Sequence, residues 1–534
     1  MATGASRLTL FLFARGRFAR SFLVPAMQKP VFHDIPLGEP IPGRPHSVSV
    51  SLPTLADIVG YEKGDPAVSR RIHTGYPRFV VHPLLRAYAS EFAKRHKARD
   101  MDTWLVNSPL LAHEMVDYLG IEKARIVREC NVTGVFLPRD PALALRAKQF
   151  LQHTGGFLSS REAEDALVEA GLIPKPPHEK TATGDPFRQV ANSLLPLFKD
   201  ATDRDLLLFP SGMSALYAAF AGINQLRHPA GRAAWMQVGW LYLDTIEIFR
   251  KLTPDPTIDH RVVRDPTDME EIRAAFSRDA DAIAAVVVEA PSNPLVQTPD
   301  IPAIAKLCRA SGALLIVDVS VASPFNVDAL RFADLVVTSL TKYCACEGDV
   351  ILGASIVNPA SPAAVELRTA LAARHVTPYK RDVARLATEI KEAPAVVKTI
   401  NATAARVLEF LRSRPEVVRV HWALEPRSAA NYLAVARTPQ SIGSIVSFEL
   451  RRDIGLASFY DRVVLPKGPS FGMKTTLLSP HMYLAHWDLV SDPAKRAELE
   501  AGGPHPELLR LSVGTEPVDQ IIASLEKALT AVGK

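Results

Sequence analysis

Three short stretches of this chain carry residue types that could act together. An apolar run, Ala333–Thr338, leads into Ser339-Leu340-Thr341-Lys342-Tyr343. A second run, Ala313–Val317, ends in Asp318, and a third, Ala284–Val288, leads into Glu289-Ala290-Pro291-Ser292-Asn293-Pro294. A lysine amine can hold an aldehyde as a Schiff base. A carboxylate beside a pyridine nitrogen keeps it protonated, so that the ring can accept electrons, and hydroxyls next to the lysine can take a phosphate. A lysine flanked by hydroxyls, a carboxylate and a carboxamide therefore suit pyridoxal phosphate. Taken singly, Lys342 could simply end a strand on the surface and Asp318 could cap a helix.

The elements that must position these residues are legible in the same stretch. Short apolar runs separated by turns, with a helical pattern over Ile301–Ala310, predict buried parallel strands in β-α-β units. In open parallel sheets the ligand lies beyond the carboxyl ends of the strands, which is where the three groups stand. Upstream, Leu206–Phe209 predicts a strand running through Pro210 into Ser211-Gly212-Met213-Ser214-Ala215, which opens an apolar helix over Leu216–Ile223. Amides at a helix start, with a glycine that permits close approach, make an anion site. Beyond Pro359 come helical patterns over 364–379 and 382–412. Strands are then expected at Val417–Val420, Ser444–Leu450 and Val463–Leu465, with a last helix over Asp519–Ala531.

The remainder of the chain sets bounds. At 534 residues it has room for about two to three domains. Its 62 basic and 57 acidic residues give a net charge of +5, too mild and too evenly spread to indicate nucleic acid. Four cysteines in so long a chain indicate a reducing compartment, and Cys344-x-Cys346 has no second Cys or His pair to make a metal site. No apolar run approaches the length of a membrane span. Residues 1–34 are Arg-rich, with no acid before Asp34, which fits either a mitochondrial presequence or a disordered tail upstream of a start at Met27. The second reading, with a cytoplasmic location, is preferred. Residues 35–83 form a Pro/Gly-rich arm. Residues 84–185 are expected to be a helical insert, with patterns at Leu84–His96, Pro109–Leu119, Ala142–His153 and Ser160–Ala170. Residues 186–380 and 381–534 make a large and a small domain.

In their order and spacing, Pro291-Ser292-Asn293-Pro294-Leu295, Val317-Asp318 with Ser323-Pro324, and Ser339-x-Thr341-Lys342-Tyr343 resemble the cystathionine γ-synthase family of fold-type-I pyridoxal-phosphate enzymes, and the insert resembles its larger fungal branch. The resemblance implies an α/β fold: a large domain with a mostly parallel seven-stranded sheet and a small α/β C-terminal domain. It implies that Lys342 is the Schiff-base lysine, that Asp318 partners the pyridine nitrogen, that Ser339 and Thr341 bind phosphate, and that Asn293 lies near the ring hydroxyl. By the same likeness, Gly212 and Met213 donate backbone N–H groups to the phosphate. Tyr242 stacks on the ring, with Trp240 as competitor. Tyr76 and Arg78 of the arm, followed by His82-Pro83 where the family has Asn-Pro, reach the cofactor phosphate of the neighbouring subunit in a homotetramer of dimers with shared sites. Ser470, in Gly468-Pro469-Ser470-Phe471-Gly472, lies beside the substrate carboxylate. Arg510, in Leu509-Arg510-Leu511-Ser512-Val513-Gly514-Thr515-Glu516, pairs with that carboxylate as a fork.

The activity implied is γ-replacement on an activated homoserine ester, forming cystathionine with cysteine in transsulfuration and methionine biosynthesis. The alternatives are γ-substitution by another sulfur or carbon nucleophile in secondary metabolism, and a cystathionine lyase. Three departures bear on this: Leu243-Asp244 replaces Gly-Gly after the stacking tyrosine, Val319-Ser320 replaces Asn-Thr after the aspartate, and Thr475 stands where bacterial synthases carry a glutamate.

Overall fold

A computed structural model describes residues 32–76 and 80–533. The Arg-rich N-terminal stretch, except its last three residues, and Arg78 lie outside the described residues. The arm contributes a two-stranded ladder, β1 (Pro40–Ile41) and β2 (Ser49–Val50), antiparallel to each other. It lies along its own chain: the Val48 amide donates to the Gly348 carbonyl and the Leu52 amide to the Lys467 carbonyl, each at 2.9 Å.

The insert departs from the all-helical expectation. Its helices are Pro83–Arg95, Pro109–Leu119, Pro141–Thr154 and Ser160–Glu169. Two follow a common grammar, with Ser108 or Asp140 capping, proline at the first helical position, and Gly120 or Gly155 in the left-handed conformation after the end. Interleaved with the four helices is a three-stranded antiparallel sheet: β3 (Asp102–Val106), β4 (Arg125–Glu129) and β5 (Val132–Leu137), with β5 central. Val132-Thr-Gly-Val-Phe-Leu is too short and too β-branched for a helix, and it is buried along its whole length.

The large sheet holds seven strands: β6 (Leu206–Phe209), β7 (Ala234–Val238), β8 (His260–Val263), β9 (Ile283–Glu289), β10 (Leu314–Asp318), β11 (Leu335–Ser339) and β12 (Gly353–Val357). Their order is β6-β12-β11-β10-β9-β7-β8, and β12 runs antiparallel to both its neighbours. Burial on both faces explains the unbroken apolar runs of β9 to β11. Register brings the chemistry together: Asp318 at the end of β10 pairs with Glu289 at the end of β9, and Ser339 at the end of β11 pairs with Gly353.

The C-terminal sheet is antiparallel, made of β13 (Val417–His421), β14 (Ile445–Leu450), β15 (Leu477–Pro480) and β16 (Leu509–Ser512) in the order β13-β14-β16-β15. Val463–Leu465, expected as a strand, is a buried loop instead. It follows the turn at Asp461-Arg462 and precedes Pro466, which lacks a ladder donor. Among the described residues no helix is long and apolar enough to cross a membrane. Cys344 and Cys346 are buried free thiols, and no metal-ligand cluster occurs among the described residues.

Candidate active site

The ends of β9, β10 and β11 open on a cavity of roughly 670 Å³ whose walls come from the arm, the insert, the large domain and the C-terminal domain. Lys342 lies in it, buried, with its amine nitrogen 2.8 Å from Ser470 Oγ, to which it donates. The rings of Tyr76 and Phe471 pack on that nitrogen, with centroids at 4.2 and 4.9 Å. Burial, and then the positive charge of Arg510, hold the Lys342 amine well below the ordinary lysine range. A neutral amine is what attack on an aldehyde and removal of a proton both require.

Asp318 and Glu289 face each other across adjacent strands. Glu289 Oε1 accepts the Tyr242 amide at 2.5 Å and Oε2 accepts the Asn293 amide at 3.2 Å, while Asp318 Oδ1 accepts the Ser320 amide at 2.8 Å. Burial and then the Asp318 charge push Glu289 well above the carboxylate range. Asp318 is raised by burial, against hydrogen bonds from Ser320. Among the described residues neither carboxyl has a basic side chain in an ion pair. A protonated pyridine nitrogen beside Asp318 would supply the missing charge, so the pair fits the cofactor that the sequence implies. Glu289 was not among the expected site residues. Its signal was its place at a strand end four residues before Asn293.

The phosphate end also fits. Ser211 caps the helix Gly212–Arg227, its hydroxyl taking the Ser214 amide at 3.0 Å and its carbonyl the Ala215 amide at 3.1 Å. The amides of Gly212 and Met213 have no intrahelical acceptor and are available to an anion. A Cβ on Gly212 would come within 2.9 Å of Ser339 Cβ, so glycine is what lets the helix start approach β11. The Ser339 amide donates to Ser320 Oγ at 2.7 Å. Ser320, one of the departures, thus ties the Asp318 turn to the Lys342 turn.

Tyr76 was expected in the neighbouring subunit's site. In the single chain its ring lies over the Lys342 nitrogen, 4.2 Å away, with its phenol beside Thr341 and Ser339. The reason is the arm's anchoring: besides the two amides above, Ser49 Oγ donates to the Pro469 carbonyl at 2.6 Å. This geometry has a direct consequence. Mixing Tyr76→Ala chains with Lys342→Ala chains, after verified subunit exchange, is expected to give no more activity than the two parents together, because no chain then has both residues. Recovered turnover in the mixture would return the arm to the partner's site.

At the substrate end, Arg510 Nη1 donates to Asn293 Oδ1 at 3.2 Å and Nη2 to the Ser470 carbonyl at 3.0 Å, and its guanidinium lies 5.5 Å from the Phe471 ring centroid. Arg510, Asn293, Ser470 and Lys342 therefore form one connected group. Ser470 holds a left-handed backbone, φ +84°, uncommon for a residue with a side chain and frequent at functional sites. Tyr242 lines the cavity, whereas Trp240 packs edge-on against His486 at 4.9 Å and donates to His486 Nε2 at 3.3 Å. Thr475 is not on the cavity wall. Beside it Lys474 pairs with Glu347 and Glu392 at 2.5 and 2.7 Å, and Thr476 Oγ1 donates to Glu516 at 2.7 Å.

Against this geometry stand the similarities to known proteins. A family model described as Cys/Met metabolism PLP-dependent enzyme matches residues 150–530. The L-2-amino-4-chloropent-4-enoate dechlorinase/desaturase of Streptantibioticus cattleyicolor is 38% identical over 495 residues, covering 92% of this chain and 98% of that protein. The cystathionine gamma-synthase of Neurospora crassa is 27% identical over 618 residues, covering 92% of this chain and 98% of that protein. Among solved structures, the cystathionine gamma synthase of Xanthomonas oryzae pv. oryzae in complex with cystathionine aligns with a TM-score of 0.54 at 20% identity. That alignment covers 68% of this chain and 90% of that one, and shows a common fold.

Proposed function

Because the chain belongs to the Cys/Met metabolism PLP-dependent enzymes, of γ-synthase/lyase type and fold type I, we propose that it expels a leaving group from Cγ of a small L-amino acid, and that it does so without a second amino-acid substrate. The observation that carries the second half is at Thr475, which lies off the cavity wall and offers no carboxylate to hold the ammonium of an incoming cysteine. The 38% likeness to a dechlorinase/desaturase supports the same reading.

Pyridoxal phosphate, when bound, supplies the electron sink that stabilises the charge left on the substrate after proton removal. This chain's residues do the rest. The Arg510 fork grips the α-carboxylate, giving up its contacts to Asn293 and the Ser470 carbonyl to do so. Asp318 holds the proton on the ring nitrogen. Lys342 Nζ, whose neutral form burial and Arg510 favour, takes the proton from Cα, returns it to carbon elsewhere in the conjugated system, and, neutral again, takes one from Cβ, with Ser470 Oγ fixing its direction. The Cγ–X bond breaks with its electron pair on X⁻. One proton returns to carbon from Lys342 and one leaves with X⁻, so the net loss is HX. Phe471 and Tyr76 cover the amine and exclude water, which strengthens each of these charge contacts.

Cystathionine formation from a homoserine ester and cysteine is the second reading, favoured by the Neurospora crassa relative, whose likeness spans arm, insert and both domains. The two separate in one assay. Protein loaded with pyridoxal phosphate is given L-2-amino-4-chloropent-4-enoate, or O-acetylhomoserine with and without cysteine, and chloride, 2-oxobutanoate and cystathionine are measured. Leaving-group release that does not depend on cysteine is expected. Cystathionine as main product, with turnover only when cysteine is present, would sink the first reading in favour of the second.

A further inference from the structure

Asp244 stands where the resemblance calls for the second glycine of a Gly-Gly pair, and the insert holds it. The C-terminal end of the insert helix Pro141–Thr154 offers two donors to a single carboxylate oxygen: Gln152 Nε2 at 2.8 Å and His153 Nδ1 at 2.9 Å from Asp244 Oδ1. On the other side of the imidazole, His153 Nε2 lies 3.2 Å from Lys251 Nζ, which also pairs with Glu247 at 2.9 Å. A lysine ammonium can only donate, so His153 Nε2 accepts and Nδ1 carries the hydrogen that Asp244 receives. The chain of donors therefore runs one way, from Lys251 through His153 to Asp244. Asp244 is 2% exposed and His153 6%, so these bonds are made out of competition with water.

What they hold is the start of the helix Leu243–Leu252. Tyr242 precedes its first residue. Its carbonyl accepts the Thr245 and Ile246 amides at 3.0 and 3.1 Å, and its own amide is fixed on Glu289. Asp244, two residues on, is in the first turn, where a negative charge also suits the helix dipole. The Tyr242 segment is thus held between a strand end on one side and the insert on the other. A Gly-Gly turn would offer the insert nothing to hold.

We propose that Gln152 and His153 are positioning residues of the cofactor site: through Asp244 they fix the Tyr242 segment over the cofactor ring, which makes the insert a working part of the active site. The proposal rests on Tyr242 as the ring-stacking residue, and its test separates the two ideas. Amide hydrogen exchange over 240–246 is followed in cofactor-free protein, and pyridoxal-phosphate affinity is read by absorbance titration. The Gln152→Ala/His153→Ala double variant is expected to speed exchange in that segment, leave the β9–β11 amides unchanged, and weaken cofactor binding by about tenfold or more, the scale of a lost hydrogen bond to a charged group. His153→Gln, which keeps an N–H donor for Asp244, is expected to recover most of both losses, and Asp244→Ala, which removes the acceptor, to repeat the defect if the double variant does not fold. Unchanged exchange over 240–246, or cofactor affinity within about twofold of wild type, would overturn the proposal. Tyr242→Leu tests the premise alone: unaltered cofactor affinity in that variant would remove the stacking assignment, while exchange over 240–246 would still decide whether the insert acts as a clamp.

Discussion

Lys342→Ala is expected to lower turnover by at least about ten-thousandfold while leaving the fold intact, because one side chain then stops doing two jobs: holding the cofactor and moving protons. The geometry makes substitution by another base improbable in this cavity. Lys342 Nζ is held by Ser470 Oγ under two aromatic rings, and both remaining carboxyls at the strand ends, Asp318 and Glu289, are engaged with backbone amides. Removing a buried amine that, among the described residues, carries no ion pair also relieves a desolvation cost, so the variant should melt no lower than the parent when both lack cofactor. Steady-state turnover and a thermal melt check the two halves. Activity within about a hundredfold of wild type would take the proton-transfer role away from Lys342.

Arg510 carries the second large effect. Arg510→Lys keeps the charge and loses the fork, so kcat/KM is expected to fall by about a hundredfold, most of it in KM, as one hydrogen bond to a charged group is worth about 1.5–3 kcal/mol. Arg510→Met removes the charge as well, and here the sign of a pH effect follows. Arg510 helps to hold Lys342 low. Without that charge the amine takes up a proton at higher pH. Since the base must be neutral, the acidic limb of the rate profile should move to higher pH in Arg510→Met and stay close to its original position in Arg510→Lys. A limb that shifts equally in both variants, or in neither, would show that the guanidinium charge does not set the amine's protonation.

Much of this was legible in the sequence, for reasons that differ by residue. Strands β9, β10 and β11 announced themselves because a parallel strand buried on both faces needs an unbroken apolar run, and each run ended in a residue able to do chemistry. The start of the helix at Gly212 was legible because a strand led through Pro210 into Ser211-Gly212 and an apolar helical run, with Gly212 permitting close approach. The sheet of the insert was hidden because two of its strands, Asp102–Val106 and Arg125–Glu129, are half-exposed and mix polar with apolar residues, so neither period stood out. Glu289 was passed over because a carboxylate at a strand end reads like any other strand terminus until the register sets it opposite Asp318. Tyr76 could be named from its motif, but its place beside Lys342 within the single chain rests on hydrogen bonds between the arm and Gly348, Lys467 and Pro469, far along the sequence. Asp244 looked like a flaw in a turn. Only its contacts with Gln152 and His153, about ninety residues upstream, give it a purpose.

Lys342, in a cavity formed by the ends of three strands, is the residue proposed to carry the cofactor. Reduction of the loaded protein with borohydride makes that linkage permanent, and peptide mapping by mass spectrometry then locates it. The expected result is a single phosphopyridoxyl modification, on the peptide containing Lys342, absent from the Lys342→Ala variant. The modification on any other lysine of the wild-type chain, with Lys342 unmodified, would contradict the account.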